Sequence, residues 1–382
     1  MSNAVIFLFP FLIDIVVSLV LFVSRHSLAG LGHPQSVIII PQMLFGIGYI
    51  VACFAMKYIV SLRHSRAQMI GAVLALMLIC IVLANISILA AIYAMFLLLP
   101  LTTSLFFNAF QAYMLGVSQS TGKTLAATVG HYTFAWSLGY AVGPFVPGLL
   151  KNSLTWNQTY YCAAASALIV AILAICIRPS KNKTAEPKAA PVLQPIPLSN
   201  LPWRIIAGRI GIILGWTGWN MICVYWPMQA NALHLSSTVK GVMECSFALF
   251  QACTALALIR YASWVRSPVF TIGFGVIGIA ALILFSHASG SVHFVVAAML
   301  FGVFTGSVFY YALFMAMSDT TVVVKQIALN EALVGIAFMI SSGLAMLIHK
   351  TGTPFVVPYY IMAIALGAGV VLQIALIRHK KS

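Results

Sequence analysis

Apolar stretches of about twenty residues follow one another along almost the whole chain, separated by only a few polar residues each time. A run of that length crosses the ~30 Å hydrocarbon core of a bilayer as an α-helix. Within lipid a backbone must satisfy its own N–H and C=O groups, so serial runs of this kind leave one fold class open, an all-α polytopic membrane protein. Composition agrees. Of 382 residues, 62% are hydrophobic and only 7% are charged, whereas a soluble domain carries about a quarter charged residues.

Twelve spans are expected, at about 4–24, 36–57, 68–88, 91–115, 125–149, 158–177, 203–228, 238–259, 267–286, 293–316, 326–348 and 354–377. The substantial interruption runs from Pro179 to Pro202, and its prolines and lysines read as a solvated linker without a core of its own. The chain therefore divides into a six-helix half at 1–178, a linker at 179–202 and a second six-helix half at 203–382. With the N-terminus on the cytoplasmic side, sixteen lysines and arginines fall on that side and four (Arg25, Lys151, Lys240 and Lys350) on the other. That bias places both termini and the linker in the cytoplasm, and it accounts for the formal charge of +15 without nucleic acid. The seven cysteines lie in apolar runs with no CxxC pair, so neither a disulfide nor a metal site is indicated. The first run has no basic n-region and carries Asp14 at its centre, so it is expected to remain as a span and not to be a cleaved signal.

A weak internal repeat joins the two halves. Thr102-Thr-Ser-Leu-Phe-Phe-Asn-Ala109 is similar to Thr305-Gly-Ser-Val-Phe-Tyr-Tyr-Ala312 at an offset of 203, the loop at 31–37 is similar to 233–239 at 202, and Lys123 matches Lys325 at 202. Three matches at offsets of 202 to 203, either side of the linker, point to parallel six-helix repeats. Span 5 carries the stretch Ser137-Leu-Gly-Tyr-Ala-Val-Gly-Pro-Phe-Val-Pro-Gly148. A bilayer helix tolerates that density of breakers, and Gly139 and Gly143, four apart on one face, allow close approach of a neighbour. With Pro144 and Gly148 they form the expected bending and packing motif.

Twelve spans in parallel repeats, a basic central loop and both ends inside resemble the major facilitator superfamily, and the resemblance covers nearly the whole chain. Gly139-x-x-x-Gly143-Pro144 is similar to a motif that antiporters of the family often carry in span 5. The loop between spans 2 and 3 departs from the family pattern: Lys57, Arg63 and Arg66 are present, but no acidic residue precedes the arginines. The resemblance implies that spans 1, 4, 7 and 10 line a central cavity that opens alternately to either side. Residues expected to meet a solute there are Asp14, Asn108, Gln111, Trp216, Trp219, Asn220, Tyr310 and Tyr311.

Only five residues are acidic: Asp14, Glu186, Glu244, Asp319 and Glu331. Three are expected inside spans, where an ionisable group is costly and marks a functional position. Asp14, near the midplane, suits a proton carrier or a solute ligand; the plain alternative is a structural hydrogen bond. Glu331 is expected to pair with Lys57, Arg63 or Arg66 as a cytoplasmic gate, or else to be an ordinary carboxylate at a helix N-terminus. Glu244 is read as an outer proton relay or a side chain snorkelling to the interface. His131 is the one histidine expected well inside a span, as a relay or a satisfied structural group. Trp216 and Trp219 share a face and suit stacking on a sugar ring or a planar cation.

These residues are expected to serve a secondary transporter moving a small organic solute by alternating access with protons as coupling ion, no cofactor and a monomeric chain. Export by antiport follows from the span 5 motif. Proton-linked uptake of a sugar-like or other polar solute is the alternative, and a non-transporting membrane sensor or assembly component is a third reading. No Ser/His/Asp, HExxH or paired-carboxylate pattern suggests an enzyme, and Gly122-Lys123-Thr124 lacks the upstream glycine of a phosphate-binding loop, where Val117 stands.

Overall fold

The computed structural model describes residues 7–60, 64–121, 124–151, 153–176, 200–261, 263–319, 323–351 and 354–378. Most of the linker expected at 179–202 lies outside these residues, as do Arg63 and the side chain of Lys57. Twelve α-helices and no strand occur among the described residues: α1 Leu8–Gly30, α2 Gln35–Ile59, α3 Ser65–Asn85, α4 Leu89–Thr121, α5 Leu125–Leu150, α6 Trp156–Cys176, α7 Leu201–Ala232, α8 Ser237–Arg260, α9 Pro268–Ser286, α10 Ser291–Ser318, α11 Val323–Lys350 and α12 Val356–Arg378. Each expected span is one helix. Turn chemistry marks several starts: the side chains of Thr124 and Ser236 accept from the backbone N–H groups of Ala127 and Val239, both at 3.3 Å, satisfying donors that a helix N-terminus leaves open.

Packing repeats with a period of six helices. In the first half α1 packs on α5 and α6, α2 on α4, and α3 on α4 and α6; the second half repeats these pairs as α7 on α11 and α12, α8 on α10, and α9 on α10 and α12. Between the halves α5 lies along α8 and α2 along α11, with lesser contacts of α1 with α7, α5 with α10 and α4 with α11. The outer faces of α3, α6, α9 and α12 present apolar side chains such as Leu78, Ile172, Val276 and Ile364, as lipid contact requires. Eleven of the helices are long and apolar enough to cross a membrane; α5 is not among them. Its glycines, prolines and polar aromatics dilute its hydropathy, and burial of Gly139, Tyr140, Gly143 and Gly148 shows why: α5 is enclosed by other helices and needs little lipid-facing surface.

One departure from expectation changes the chemistry, at the end of the first span. The helix continues through Arg25 and His26 to Gly30, and both side chains are buried. Arg25 therefore does not belong to an outer loop, and His26 joins the histidines inside spans. A charge can lie there because Glu244 lies opposite.

Candidate functional site

A cavity of about 110 Å³ lies between the halves, lined from both of them. Asp14 of α1 and Glu331 of α11 both face it. Nine of the nineteen lining residues are aromatic: Phe45, Tyr49, Phe107, Tyr132, Trp136, Tyr140, Trp216, Phe309 and Phe338. Trp216 stands among four of these rings, stacked on Trp136 at 6.4 Å, edge-on to Tyr140 and Phe309 at 6.1 and 5.3 Å, and tilted against Phe338 at 5.8 Å. A water occupies about 30 Å³ in the liquid and drug-sized ligands need roughly 300 Å³ or more. The space as it stands holds one ring or a few waters.

Glu331 is held from the other half. Its Oε2 accepts from Tyr49 Oη at 2.7 Å and its Oε1 from Gln111 Nε2 at 2.9 Å, while the same Gln111 nitrogen lies 2.8 Å from Tyr132 Oη. The carboxylate thus ties α11 to α2 and α4. Asp14 is 6% exposed and its Oδ2 has no hydrogen-bond partner. Neither carboxyl group has a cation beside it among the described residues. Arg66 instead donates to the carbonyls of Ala174 and Ile175 at the end of α6, at 3.0 and 2.5 Å, so in this conformation it does not reach Glu331 as the expected gate requires.

Only part of the expected solute set lines the cavity. Asp14 and Trp216 do, and Gln111 braces Glu331. Asn108 turns back on its own helix, donating to Ser104 O at 2.9 Å. Trp219 is fully buried against Phe247 with ring centroids 3.4 Å apart, Tyr310 reaches Ala126 O of α5 at 3.4 Å, and Tyr311 stacks on Phe270. Asn220 is buried without a partner. His131 is bonded to Ala127 O one turn back on its own helix. Arg209 donates to Asn330 Oδ1 at 3.2 Å and to Gln326, a polar group in the N-terminal parts of α7 and α11.

Several cavity residues escaped the sequence reading although a signal was present. Tyr132, Trp136 and Tyr140 recur every four residues along α5 and so share a face, but the neighbouring glycines and prolines drew the reading to bending. Gly139 and Gly143 turn out to seat α1 of the same half. A Cβ on Gly139 would lie 2.1 Å from Phe11 O, and one on Gly143 1.9 Å from Ser18 Oγ. The contact between halves lies further out, where a Cβ on Gly148 would stand 2.9 Å from Gly241 Cα of α8.

Towards the C-terminal ends of α1 and α5 the interface is closed by charge as well as by glycine. Glu244 of α8 is 0% exposed, so it neither snorkels nor stands open as a relay; its Oε2 pairs with Arg25 Nη2 at 2.6 Å and its Oε1 lies 3.4 Å from His26 Nε2. Gln35 of α2 donates to Val224 O of α7 at 2.7 Å. Deeper in, Gln251 of α8 donates to Ser137 of α5 at 2.7 Å and accepts from Thr305 of α10 at 2.9 Å.

Comparison with known proteins gives two findings. A family model described as Major Facilitator Superfamily matches residues 3–214. Among solved structures, the crystal structure of the nucleoside transporter NupG superposes with a TM-score of 0.64 at 13% identity, covering 100% of both chains. No curated protein matches the chain in sequence.

Proposed function

Because the chain belongs to the major facilitator superfamily, and is thus an integral multi-pass membrane protein and a secondary transporter rather than an enzyme, we propose that it exchanges protons for a small ring-bearing solute that carries no negative charge. One observation carries this reading: two carboxyl groups from opposite halves, Asp14 and Glu331, share an aromatic-lined cavity with no cation beside either of them among the described residues. A buried carboxylate is tolerable when a proton or a cationic group neutralises it. Protons and a cationic solute then compete for one site, which is the condition for antiport. An anionic solute meets two like charges and no guanidinium. Rings such as Trp216 and Trp136 supply stacking and cation–π surface. Glu331 adds a conformational element, since its bonds to Tyr49 and Gln111 join the halves and are lost when they separate. The lysine and arginine bias supports cytoplasmic termini, with exchange directed outward.

Proton-linked uptake of an uncharged solute is the second reading, favoured by the full-length fold likeness to a nucleoside transporter. Purified protein in liposomes separates the two. Under an imposed pH gradient, benzyltrimethylammonium, uridine and benzenesulfonate are offered as ring-bearing cation, neutral solute and anion. The expected result is pH-driven counterflow of the cation and none of the anion, with Asp14→Asn losing the pH drive while solute-for-solute exchange persists. Uridine accumulating with an inward proton gradient supports uptake. Benzenesulfonate flux, or unchanged pH dependence in Asp14→Asn, sinks the proposal.

A further inference from the structure

Three aromatic rings close the outer side of the cavity: Phe45 of α2 and Trp216 of α7 both lie against Phe338 of α11, with centroids 5.0 and 5.8 Å apart. On each of these helices the next residue outward on the same face is polar. Gln42 stands three residues from Phe45, Asn220 four from Trp216 and Ser342 four from Phe338, spacings that keep each on the face of its aromatic neighbour, about 5 Å further along the axis. Beyond this level the same three helices are clamped together by Gln35 bonding to Val224 O and by Tyr225 Oη bonding to Ala345 O at 3.1 Å. The polar level is sealed between aromatic rings below and these clamps above.

Gln42 is 1% exposed and Asn220 and Ser342 are 0% exposed. Both amide atoms of Gln42, both of Asn220 and the Ser342 hydroxyl have no hydrogen-bond partner. Other interior amides are paired: Gln251 at both ends, Gln229 with Tyr359 Oη at 2.7 Å, and Gln373 with Ala207 O at 2.7 Å. Unpaired buried amides are destabilising, and here they lie one turn beyond the aromatic rings on three helices, α2, α7 and α11, that pack on one another.

We propose that Gln42, Asn220 and Ser342 form a second solute station on the outer side of the aromatic cavity, which takes the uncharged hydrogen-bonding edge of the solute, its hydroxyl or amide groups, when α2, α7 and α11 part on that side. Two amides and a hydroxyl offer donors and acceptors together, and none of the three ionises. The station therefore selects neither anions nor cations; charge is read one level deeper, at Asp14 and Glu331. This inference rests on the transporter reading above.

The test uses the full-length protein with Gln42→Leu and Asn220→Leu, which remove the amides at similar volume. Uridine serves as the hydroxyl-bearing probe and benzyltrimethylammonium as the probe of the carboxylates. Both variants are expected to melt about 2 °C or more above the wild type, because unpaired polar groups are gone from the closed state. Uridine affinity from the outer face should fall about tenfold, with benzyltrimethylammonium affinity unchanged. A lower melting temperature means the amides are structural, and a higher one with wild-type uridine affinity means they meet no solute; either result overturns the station. Should the wild type move neither probe, the transporter reading of the cavity fails separately. The station is then judged by a cysteine at Ser342→Cys, which a membrane-impermeant maleimide must reach from outside if this level opens; protection under every condition overturns it.

Discussion

Removing one partner of the Arg25–Glu244 pair exposes what it contributes. The two side chains are 2% and 0% exposed and meet at 2.6 Å, while Arg25 Nε and Nη1 have no other hydrogen-bond partner. Glu244→Ala therefore leaves a buried guanidinium with nothing to answer its charge, a change that costs about 3–5 kcal/mol. His26, 3.4 Å from Glu244 Oε1, gives no relief, because it can add only positive charge. Since α1 and α8 belong to opposite halves and the pair joins them near the C-terminal end of α1 and the N-terminal end of α8, the loss falls on the state in which that side is closed. At 1.4 kcal/mol per tenfold it shifts the balance towards opening on that side by roughly two to nearly four powers of ten. Cys223, fully buried beside Arg25, reports the shift: with the other cysteines replaced by serine, its alkylation by an impermeant maleimide from outside should accelerate at least ~100-fold in Glu244→Ala. Arg25→Met with Glu244→Leu leaves no charge behind and should return the rate to within several-fold of the parent, a coupling that a double-mutant cycle isolates. A wild-type rate in the single variants, or a double variant as fast as the two effects combined, refutes the reasoning.

Two smaller perturbations test the packing and the cavity. Gly143→Ala places a Cβ 1.9 Å from Ser18 Oγ and 2.8 Å from Ile15 O, so α1 must shift; a loss of ~1–3 kcal/mol is expected in thermal melting, whereas Gly71→Ala, which meets nothing within 4 Å, should be neutral or slightly stabilising. Tyr49→Phe removes the 2.7 Å bond to Glu331 and leaves the ring in place; solute affinity and its pH profile should change, while stability in thermal melting falls by about 1–3 kcal/mol, the cost of leaving a buried acceptor unpaired.

The architecture was readable because its signals are long. Twenty-residue apolar runs report the length of a span whatever packs on it, and twelve of them, with a repeat at offsets of 202 to 203, carried the fold. Asp14 and Trp216 were expected at the cavity they line, because an intramembrane carboxylate or a deep indole is rare; Glu331, singled out for the same reason but read as a gate, lines it too. What escaped depends on rotation about a helix axis. Asn108, Trp219, Tyr310 and Tyr311 lie on the helices expected to line the cavity but turn to their own backbone or to helices behind. Arg25 was placed in a loop because a guanidinium is ordinarily excluded from lipid, and nothing local to α1 announces a carboxylate 219 residues away. Tyr132, Trp136 and Tyr140 formed a visible stripe, overlooked beside the Gly-Pro pattern of the same helix.

That helix has a consequence for how the protein is made. A segment enters the bilayer from the translocation machinery according to its own apolarity, and α5, enclosed by α1 and α8 and diluted by glycine, proline and tyrosine, is the weakest of the twelve by that standard. During synthesis α1 is already in place when α5 emerges, and the groove that receives Gly139 and Gly143 is available; α8 is not yet translated. The glycine face of α5 thus acts twice, first as the docking surface that retains a marginal segment in the lipid, and only later as part of the finished transporter.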